Sequence, residues 1–293
     1  MQLQQDKKSN ISTRFNEYLA GIIDGDGSLL LSPQGYGSLE ITMDSRDERC
    51  LQYIKNKLGE GSVKKRSGSK SVRYRLHNKL GIINVINRIN GLIRYSNRLA
   101  QLEKLCNHYN IEMKKYHERD VFTKKSSYFA GLLDSDGTLT MSLKRPKHSK
   151  LERPQLTISV TSKNKSDLEI WLKEFNGNIY IDQSTRSQRG NKRSRSSKLG
   201  SIPTNWGKVS YKWSIQKKED ILNLLNYLKE HPLHTLKQQR VLMIEEYFRL
   251  YELHAFKSDN TILYKSFQEW IQKWKKYGLE RDANLCKPYG HTR

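Results

Sequence analysis

The sequence predicts an α+β protein made of two pseudo-symmetric αββαββα units, each with a four-stranded antiparallel sheet. Two observations support this fold class. A fifteen-residue segment occurs twice, at 18–32 as YLAGIIDGDGSLLLS and at 128–142 as YFAGLLDSDGTLTMS, with eight identical positions. The same order of predicted elements then follows each copy. A match of this length argues for two copies of one structural unit in a single chain.

Each copy of the repeated segment changes its hydrophobic period partway along. Its first part is small and apolar, and serine or threonine at 12–13 and 126–127 can cap it, so it predicts a short buried helix. After Asp26 and Asp136, polar and apolar residues alternate, as in a half-buried strand. Each unit is therefore expected to begin with a helix that ends at an acidic residue and leads directly into a strand.

The later elements follow from alternation, turn residues and apolar stripes. In the first unit we expect a second strand near 38–43, a helix at 46–58, a hairpin turning at 67–69, and two helices with stripes at 82–89 and 99–106. In the second unit the corresponding elements are strands near 155–161, 179–182 and 209–215 and helices at 168–175, 221–228 and 235–253. An insert rich in arginine, serine and lysine, at 184–200, lengthens the second unit.

These assignments divide the chain into five segments. The predicted boundaries are an N-terminal extension at 1–12, loosely attached or disordered, a first unit at 13–107, a linker at 108–125, a second unit at 126–253, and a C-terminal helix and tail at 254–293. Aromatic residues recur at helical spacing in that last helix, at Phe267, Trp270, Trp274 and Tyr277. Such a stripe can stack bases, but the spacing favours packing against the second unit.

Charge is the strongest signal in the composition. The chain has 53 lysine and arginine residues against 30 acidic ones, a formal net charge of +23, which predicts a polyanion as partner. No segment approaches the apolar length of a spanning helix, so we expect no membrane association. Three cysteines without a Cys-x-x-Cys pair argue against disulfides and structural zinc and favour a reducing compartment. The N-terminal residues are polar, unlike a secretory signal.

The basic residues concentrate on the polar side of predicted strands. Residues 61–102 and 183–218 each contain ten lysines or arginines and no acid. A solvated basic face is the simplest explanation of a charge run, but it does not account for that placement. A sheet with one apolar and one basic face is suited to lie on an anionic surface.

The repeated acidic segment admits other interpretations. A calcium loop of the EF-hand type needs a glutamate at its twelfth position, where the two copies have Gly35 and Arg145. A dinucleotide fingerprint needs Gly-x-Gly-x-x-Gly after a strand, and here Leu30 replaces the third glycine. A purely structural turn explains one copy, but it does not explain why both copies keep both acids.

The motif residues at 19–27 and 129–137 resemble the LAGLIDADG homing endonucleases, in particular the monomeric kind with two motifs. The resemblance implies that the two motif helices pack along a pseudo-two-fold axis, where Gly21 and Gly131 allow a close approach. It also implies that the two sheets form a DNA-binding saddle.

The same resemblance implies a catalytic site at the ends of the motif helices. Asp26 and Asp136 would bind two or three Mg²⁺ ions, helped by the backbone carbonyls of Gly25 and Ser135, and Mn²⁺ or Ca²⁺ would substitute in binding. Lys237 resembles the family's catalytic lysine. The family also usually places a polar residue at the end of the second strand, where Asp44 and Thr161 fall.

In the first unit the counterpart of Lys237 aligns near Ser96, so this unit departs from the family pattern. Arg98 lies close by and is the candidate for the same task. The activity implied is cleavage of both DNA strands across the minor groove, leaving four-base 3′ overhangs.

Sequence readout is expected from the polar faces of both sheets in the major groove. The candidates are Ser32, Gln34, Tyr36, Glu40, Arg73, Arg75, Ser142, Lys144, Gln155, Thr157, Ser159 and Lys212, with Arg186 and Arg189 of the insert expected to order along phosphates. Because the two units carry different residues at these places, the DNA site should be long and asymmetric.

Two other functions remain open from the sequence. Relatives of this fold act as intron maturases, so an RNA-binding protein that assists splicing without cleavage is the main alternative, with intron RNA as partner. A DNA-binding regulator is more distant. Neither of these functions explains why Asp26 and Asp136 are both present. The resemblance favours a monomer encoded in an organelle intron, with the mitochondrion as the expected location.

Overall fold

The computed structural model describes residues 2–114, 123–144, 153–182, 209–257 and 259–278, with side chains from Thr13 onward. Each unit starts with its motif helix and continues through its sheet to helices packed on the apolar face. The first unit contains α1 (Gln2–Asp26), β1 (Gly27–Leu31), β2 (Gly37–Asp44), α2 (Glu48–Leu58), β3 (Ser62–Lys65), β4 (Ser71–Leu76), α3 (Lys79–Ile89) and α4 (Ser96–His108). The second contains α5 (Tyr128–Ser135), β5 (Gly137–Lys144), β6 (Arg153–Ser162), α6 (Ser166–Phe175), β7 (Asn178–Ile181), β8 (Tyr211–Ile215), α7 (Lys218–Glu230), α8 (Lys237–Val241) and α9 (Ile244–Glu252), followed by α10 (Thr261–Lys276).

The two sheets have the same topology. Their strand orders are β1-β2-β4-β3 and β5-β6-β8-β7, with every pair antiparallel. Gly27 pairs with Ile41 in the first sheet and Gly137 pairs with Val160 in the second, so these positions are structurally equivalent. The predicted α+β fold with two four-stranded antiparallel sheets is therefore confirmed.

Alternation on the strands places the core as the sequence predicts. In β2, Leu39, Ile41 and Met43 are buried, while the intervening Ser38 and Glu40 are partly exposed. Apolar side chains at i and i+2 share one face of a strand, so this pattern turns one face of the sheet toward the helices and leaves the other in solvent.

Three helix boundaries differ from the sequence prediction. Helix α1 begins at Gln2, ten residues before the predicted caps. The helix expected from Arg46 starts instead as a 3₁₀ turn, because the Asp44 carboxylate accepts a hydrogen bond from the Arg46 amide and fixes that turn. The helix expected at 235–253 is two helices, separated where the amide of Met243 donates to the carbonyl of Arg240, three residues earlier.

The aromatic stripe of α10 is core, as predicted. Phe267, Trp270 and Trp274 are buried. The buried Arg240 of α8 donates to the Trp274 carbonyl over 3.1 and 3.2 Å and lies 4.6 Å from the centre of its indole ring. These contacts attach α10 to the second unit. Within the described part of the chain, none of the helices combines the length and apolar character needed to cross a bilayer.

Candidate metal and nucleic-acid site

The motif helices α1 and α5 cross with their backbones in contact. A methyl group added to Gly21 would lie 2.1 Å from the Tyr128 carbonyl oxygen, and one on Gly131 would lie 2.1 Å from the carbonyl oxygen of Tyr18. Both distances are far below van der Waals contact, so only glycine fits at either position. The repeated glycine therefore lets the two units approach along a common seam.

This crossing brings the acidic ends of both helices to one place. A β-carbon on Gly25 would lie 2.1 Å from the Ser135 hydroxyl and 3.3 Å from the carboxyl carbon of Asp136. Burial, and then the negative charge of Asp136, raise the pKa of Asp26 to about 6. Burial also raises the pKa of Asp136. Two half-buried carboxylates that repel one another are suited to share a cation, which would remove that repulsion.

Lys237 closes the end of α5 beside these acids. Its ammonium group donates to the carbonyls of Leu133, Asp134 and Ser135 over 3.0, 2.7 and 3.1 Å. The positive charge thus sits against the negative end of the helix dipole, and it lowers the pKa of Asp136 against the effect of burial. The structure places the predicted lysine next to the predicted acid.

Arg98 occupies the corresponding place in the first unit. Its guanidinium donates to the carbonyls of Ile23 and Gly25 over 3.0 and 3.4 Å, at the end of α1. The hydrogen bonds that the preceding loops make show that Asn97, not Ser96, is the positional counterpart of Lys237. Arg98, one position later, places its guanidinium against the carbonyls at the end of α1.

A second pair of acids, which sequence analysis left without a role, holds those loops in place. Asp24 accepts hydrogen bonds from the amides of Arg94 and Tyr95 over 2.8 and 3.2 Å, just before α4. It also accepts one from the Tyr128 hydroxyl of the other unit, over 2.5 Å. Burial raises the pKa of Asp24 to about 7, and these hydrogen bonds act in the opposite direction.

Asp134 makes the equivalent contacts in the second unit. It accepts from the His234 and Thr235 amides over 2.6 and 3.3 Å and from the Thr235 hydroxyl. The Tyr18 hydroxyl of the first unit donates to it over 2.8 Å. The signal was present in the sequence, since both copies keep tyrosine and this acid six residues apart, but the cross-unit partnership is visible only in three dimensions.

Asp47 adds a contact that no sequence pattern indicated. This first-unit carboxylate accepts a hydrogen bond from the Leu236 amide of the second unit over 2.7 Å. Leu236 directly precedes Lys237, so the first unit helps to fix the lysine of the second.

The two polar residues predicted at the ends of the second strands behave differently. Thr161 lines a cleft of about 550 Å³ together with Gly25, Arg98 and Asp136. Asp44 instead forms a 3.0 Å ion pair with Arg46. The strand registers make Thr42, not Asp44, the equivalent of Thr161, so the assignment of Asp44 to the site is wrong.

The residues at the seam suit a hard divalent cation in type but not in number. The described residues contain no group of three or more His, Cys, Asp or Glu side chains placed to hold a metal ion. Ions at Asp26 and Asp136 would need further oxygen ligands, which the Gly25 and Ser135 carbonyls, water and DNA phosphate can offer. Each carbonyl accepts one hydrogen bond from Arg98 or Lys237 and has a second lone pair.

Most predicted readout residues lie on the polar faces of the sheets. Ser32, Gln34 and Tyr36 lie in the turn between β1 and β2, Glu40, Arg73 and Arg75 on β2 and β4, Ser142 and Lys144 on β5, Gln155 and Thr157 on β6, and Lys212 on β8. Ser159 is an exception. It is 1% exposed and its hydroxyl pairs with that of Thr138 over 2.7 Å, so its proposed base contact is not available in this conformation. Arg186 and Arg189 lie outside the described residues.

Comparison with known proteins supports the same family. Residues 19–109 match the family model described as LAGLIDADG endonuclease. A probable intron-encoded endonuclease aI2 of Debaryomyces hansenii is 38% identical over 283 residues, covering 93% of this chain and 39% of that protein. The intron-encoded RNA maturase bI4 of Saccharomyces cerevisiae is 41% identical over 270 residues, covering 92% and 37%. The chain therefore spans less than half the length of these two relatives.

A shorter relative aligns over most of its own length. The intron-encoded DNA endonuclease ai2a of Dictyostelium discoideum is 28% identical over 284 residues, covering 94% of this chain and 81% of that protein. Solved structures share the fold at lower identity. The I-LtrWI LAGLIDADG homing endonuclease bound to target DNA has a TM-score of 0.64 at 14% identity, covering 92% of this chain and 99% of that one.

The I-SmaMI LAGLIDADG homing endonuclease bound to cleaved DNA is a second structural neighbour, with a TM-score of 0.61 at 14% identity over 91% and 97% of the two chains. The first unit therefore matches the LAGLIDADG endonuclease family model, the same motif recurs in the second unit, and the fold is the one seen in LAGLIDADG homing endonucleases.

Proposed function

We propose that this protein is a site-specific, intron-encoded DNA endonuclease that cuts both strands of a long asymmetric site by Mg²⁺-dependent hydrolysis. The observation that carries the proposal is that Asp26 and Asp136, one acid from each unit, lie close enough to interact at the crossing of the motif helices. If the acids only formed a structural turn, neither of them would need to be half-buried or to lie close to a like charge.

The residues around the acids fit this chemistry. Divalent ions bound there would activate a water and stabilise the leaving oxygen of the phosphodiester. Asp26 and Asp136 would hold these ions, and Arg98 and Lys237 would offset charge that develops at the phosphate. Because the acids come from different units, each unit can act on one strand. Cleavage across the minor groove with four-base 3′ overhangs is the outcome that the family resemblance suggests.

The polar sheet faces and the charge of +23 support double-stranded DNA as the partner. The Dictyostelium discoideum relative ai2a is named as a DNA endonuclease, and the two structural neighbours described above are bound to DNA. An asymmetric site is supported by the registers, since Glu40 and Arg75 of the first sheet correspond to Ser159 and Ser214 of the second. With two motifs in one chain, the protein would act as a monomer.

Selection of cleaved sites from a random DNA library with Mg²⁺ tests the proposal. Sequencing the cut ends should reveal one enriched, non-palindromic site with four-base 3′ overhangs. Absence of cutting in Mg²⁺ and in Mn²⁺ would contradict an endonuclease.

The second candidate is an RNA maturase, and the 41% identity to the bI4 maturase favours it. A maturase would bind its intron RNA tightly and promote splicing whether or not Asp26 and Asp136 are replaced by asparagine. Splicing of the host intron by an Asp26→Asn and Asp136→Asn double variant separates the two functions. In either case the intron-encoded relatives support an origin in an organelle intron, which we assign to the mitochondrion.

A further inference from the structure

A carboxylate lies between two arginines on the exposed face of the first sheet. The Arg73 guanidinium and the Arg75 guanidinium each contact a different oxygen of Glu40, at 2.7 Å. Arg73 also donates from Nε to the Thr42 hydroxyl over 3.2 Å. Glu40 pairs directly with Arg75 across β2 and β4, and Thr42 pairs with Arg73, so the strand register itself builds this cluster.

The exposure of the three side chains differs in an ordered way. The Glu40 side chain is 19% exposed, that of Arg73 25% and that of Arg75 51%. Arg75 is therefore the most accessible of the three from solvent, and Glu40 is the least accessible. A base edge that approached this face would meet Arg75 before it met the carboxylate.

The second sheet has no such cluster at the equivalent positions. There Ser159 takes the place of Glu40, Ser214 that of Arg75 and Lys212 that of Arg73. Ser159 and Ser214 are buried, with 1% and 5% of their surface exposed. The cluster is thus found on the first sheet and not at the equivalent positions of the second.

We propose that Glu40 contacts no base but is a positioning residue, which holds Arg75 ready to read one guanine in the half-site beneath the first sheet. This inference rests on the proposed function. A guanidinium has five N–H donors, and Arg75 gives one of them to Glu40, so enough remain for the two-pronged contact with guanine O6 and N7. Holding the side chain in place before binding removes an entropic cost that a free arginine would bear.

The experiment measures base preference at every position of the selected DNA site for Arg75→Ala, Arg75→Lys, Glu40→Ala and the Glu40→Ala/Arg75→Ala double variant. Arg75→Ala should reduce the preference for one guanine by about 5- to 150-fold, the range for one such arginine–guanine pair. Arg75→Lys should reduce the preference for this guanine similarly, because lysine lacks the two-pronged guanidinium. It should retain the overall affinity for DNA, because lysine keeps the positive charge. Lysine at this exposed position also keeps the test valid if an alanine variant fails to fold.

Glu40→Ala should weaken the preference at the same base pair while raising affinity for unrelated DNA, since it removes a negative charge from the binding face. The double variant should lose no more of the preference for this guanine than Arg75→Ala alone. Gln155→Ala, on the second sheet, is the matched control and should alter only the other half-site.

Three results would overturn the inference and leave the proposed function intact. These are an unchanged profile for Arg75→Ala, a Glu40→Ala effect at a different base pair, which would make Glu40 a direct reader, and additive losses in the double variant. If no DNA site is enriched at all, the proposed function fails and this inference fails with it.

Discussion

Replacing Asp26 by asparagine should stabilise the protein at neutral and alkaline pH while removing its activity. In the folded state, burial and the charge of Asp136 raise the pKa of this carboxyl group from 3.8 to about 6. The charged form is therefore less favourable in the folded chain than in the unfolded one. The neutral acid is the form that folding favours, so the contribution of this group to stability is fully present below about pH 4 and is lost as the pH rises through 6.

The size of the effect follows from the shift. A displacement from 3.8 to about 6 corresponds to about 3 kcal/mol at about pH 8, at 1.36 kcal/mol for each unit. Asp26 is partly exposed, and solvent screening reduces this figure, so we expect a gain of about 1–3 kcal/mol for Asp26→Asn. The gain should fall by about half near pH 5, where most of the folded protein already carries the neutral acid.

Urea unfolding in the presence of EDTA, at about pH 8 and about pH 5, measures this difference directly. Asp259→Asn, at an exposed position in another part of the chain, is the matched control and should leave the free energy of unfolding unchanged at both pH values. Two results would refute the placement of this acid in a half-buried site beside Asp136. Asp26→Asn could be no more stable than the parent at about pH 8, or its gain in stability could be the same at both pH values.

Three further predictions test the parts of the site that surround the acids. Gly131→Ala should cost about 3 kcal/mol or more in urea unfolding, because its new methyl group would overlap the Tyr18 carbonyl; wild-type stability would contradict the backbone crossing. Tyr128→Phe should cost about 2 kcal/mol by the same assay, since Asp24 loses a buried hydrogen bond, and no change would remove that contact. Lys237→Met should lower the cleavage rate about 100-fold without weakening DNA binding, and an unchanged rate would exclude the lysine from the chemistry.

The sequence predicted the parts of the fold that depend on local periodicity and on the repeat. The alternation around Leu39 and Ile41 located a strand and its buried face, and the second copy of the motif predicted a second sheet with the same topology. The small residues Gly21 and Gly131 correctly indicated a close helix crossing. Each of these features is carried by short stretches of chain, so a single sequence contains the information.

What the sequence did not reveal depends on contacts between distant residues. The cross-unit hydrogen bonds of Asp24 and Asp134 join groups about one hundred residues apart, so the spacing of tyrosine and acid within each copy does not reveal them. Asp44 was misassigned because strand register, which makes Thr42 the equivalent of Thr161, is set by pairing with β1. Ser159 has the right position on its strand, but the neighbouring Thr138 hydroxyl covers it.

The central claim is that one acid from each unit serves a single metal-dependent site. Cleavage of the selected DNA site in Mg²⁺, with each strand labelled separately, tests it most directly when Asp26→Asn and Asp136→Asn are measured beside the parent protein. Each substitution alone should abolish double-strand cleavage while leaving DNA affinity in place. Double-strand cleavage at the parental rate by either variant would contradict the shared site.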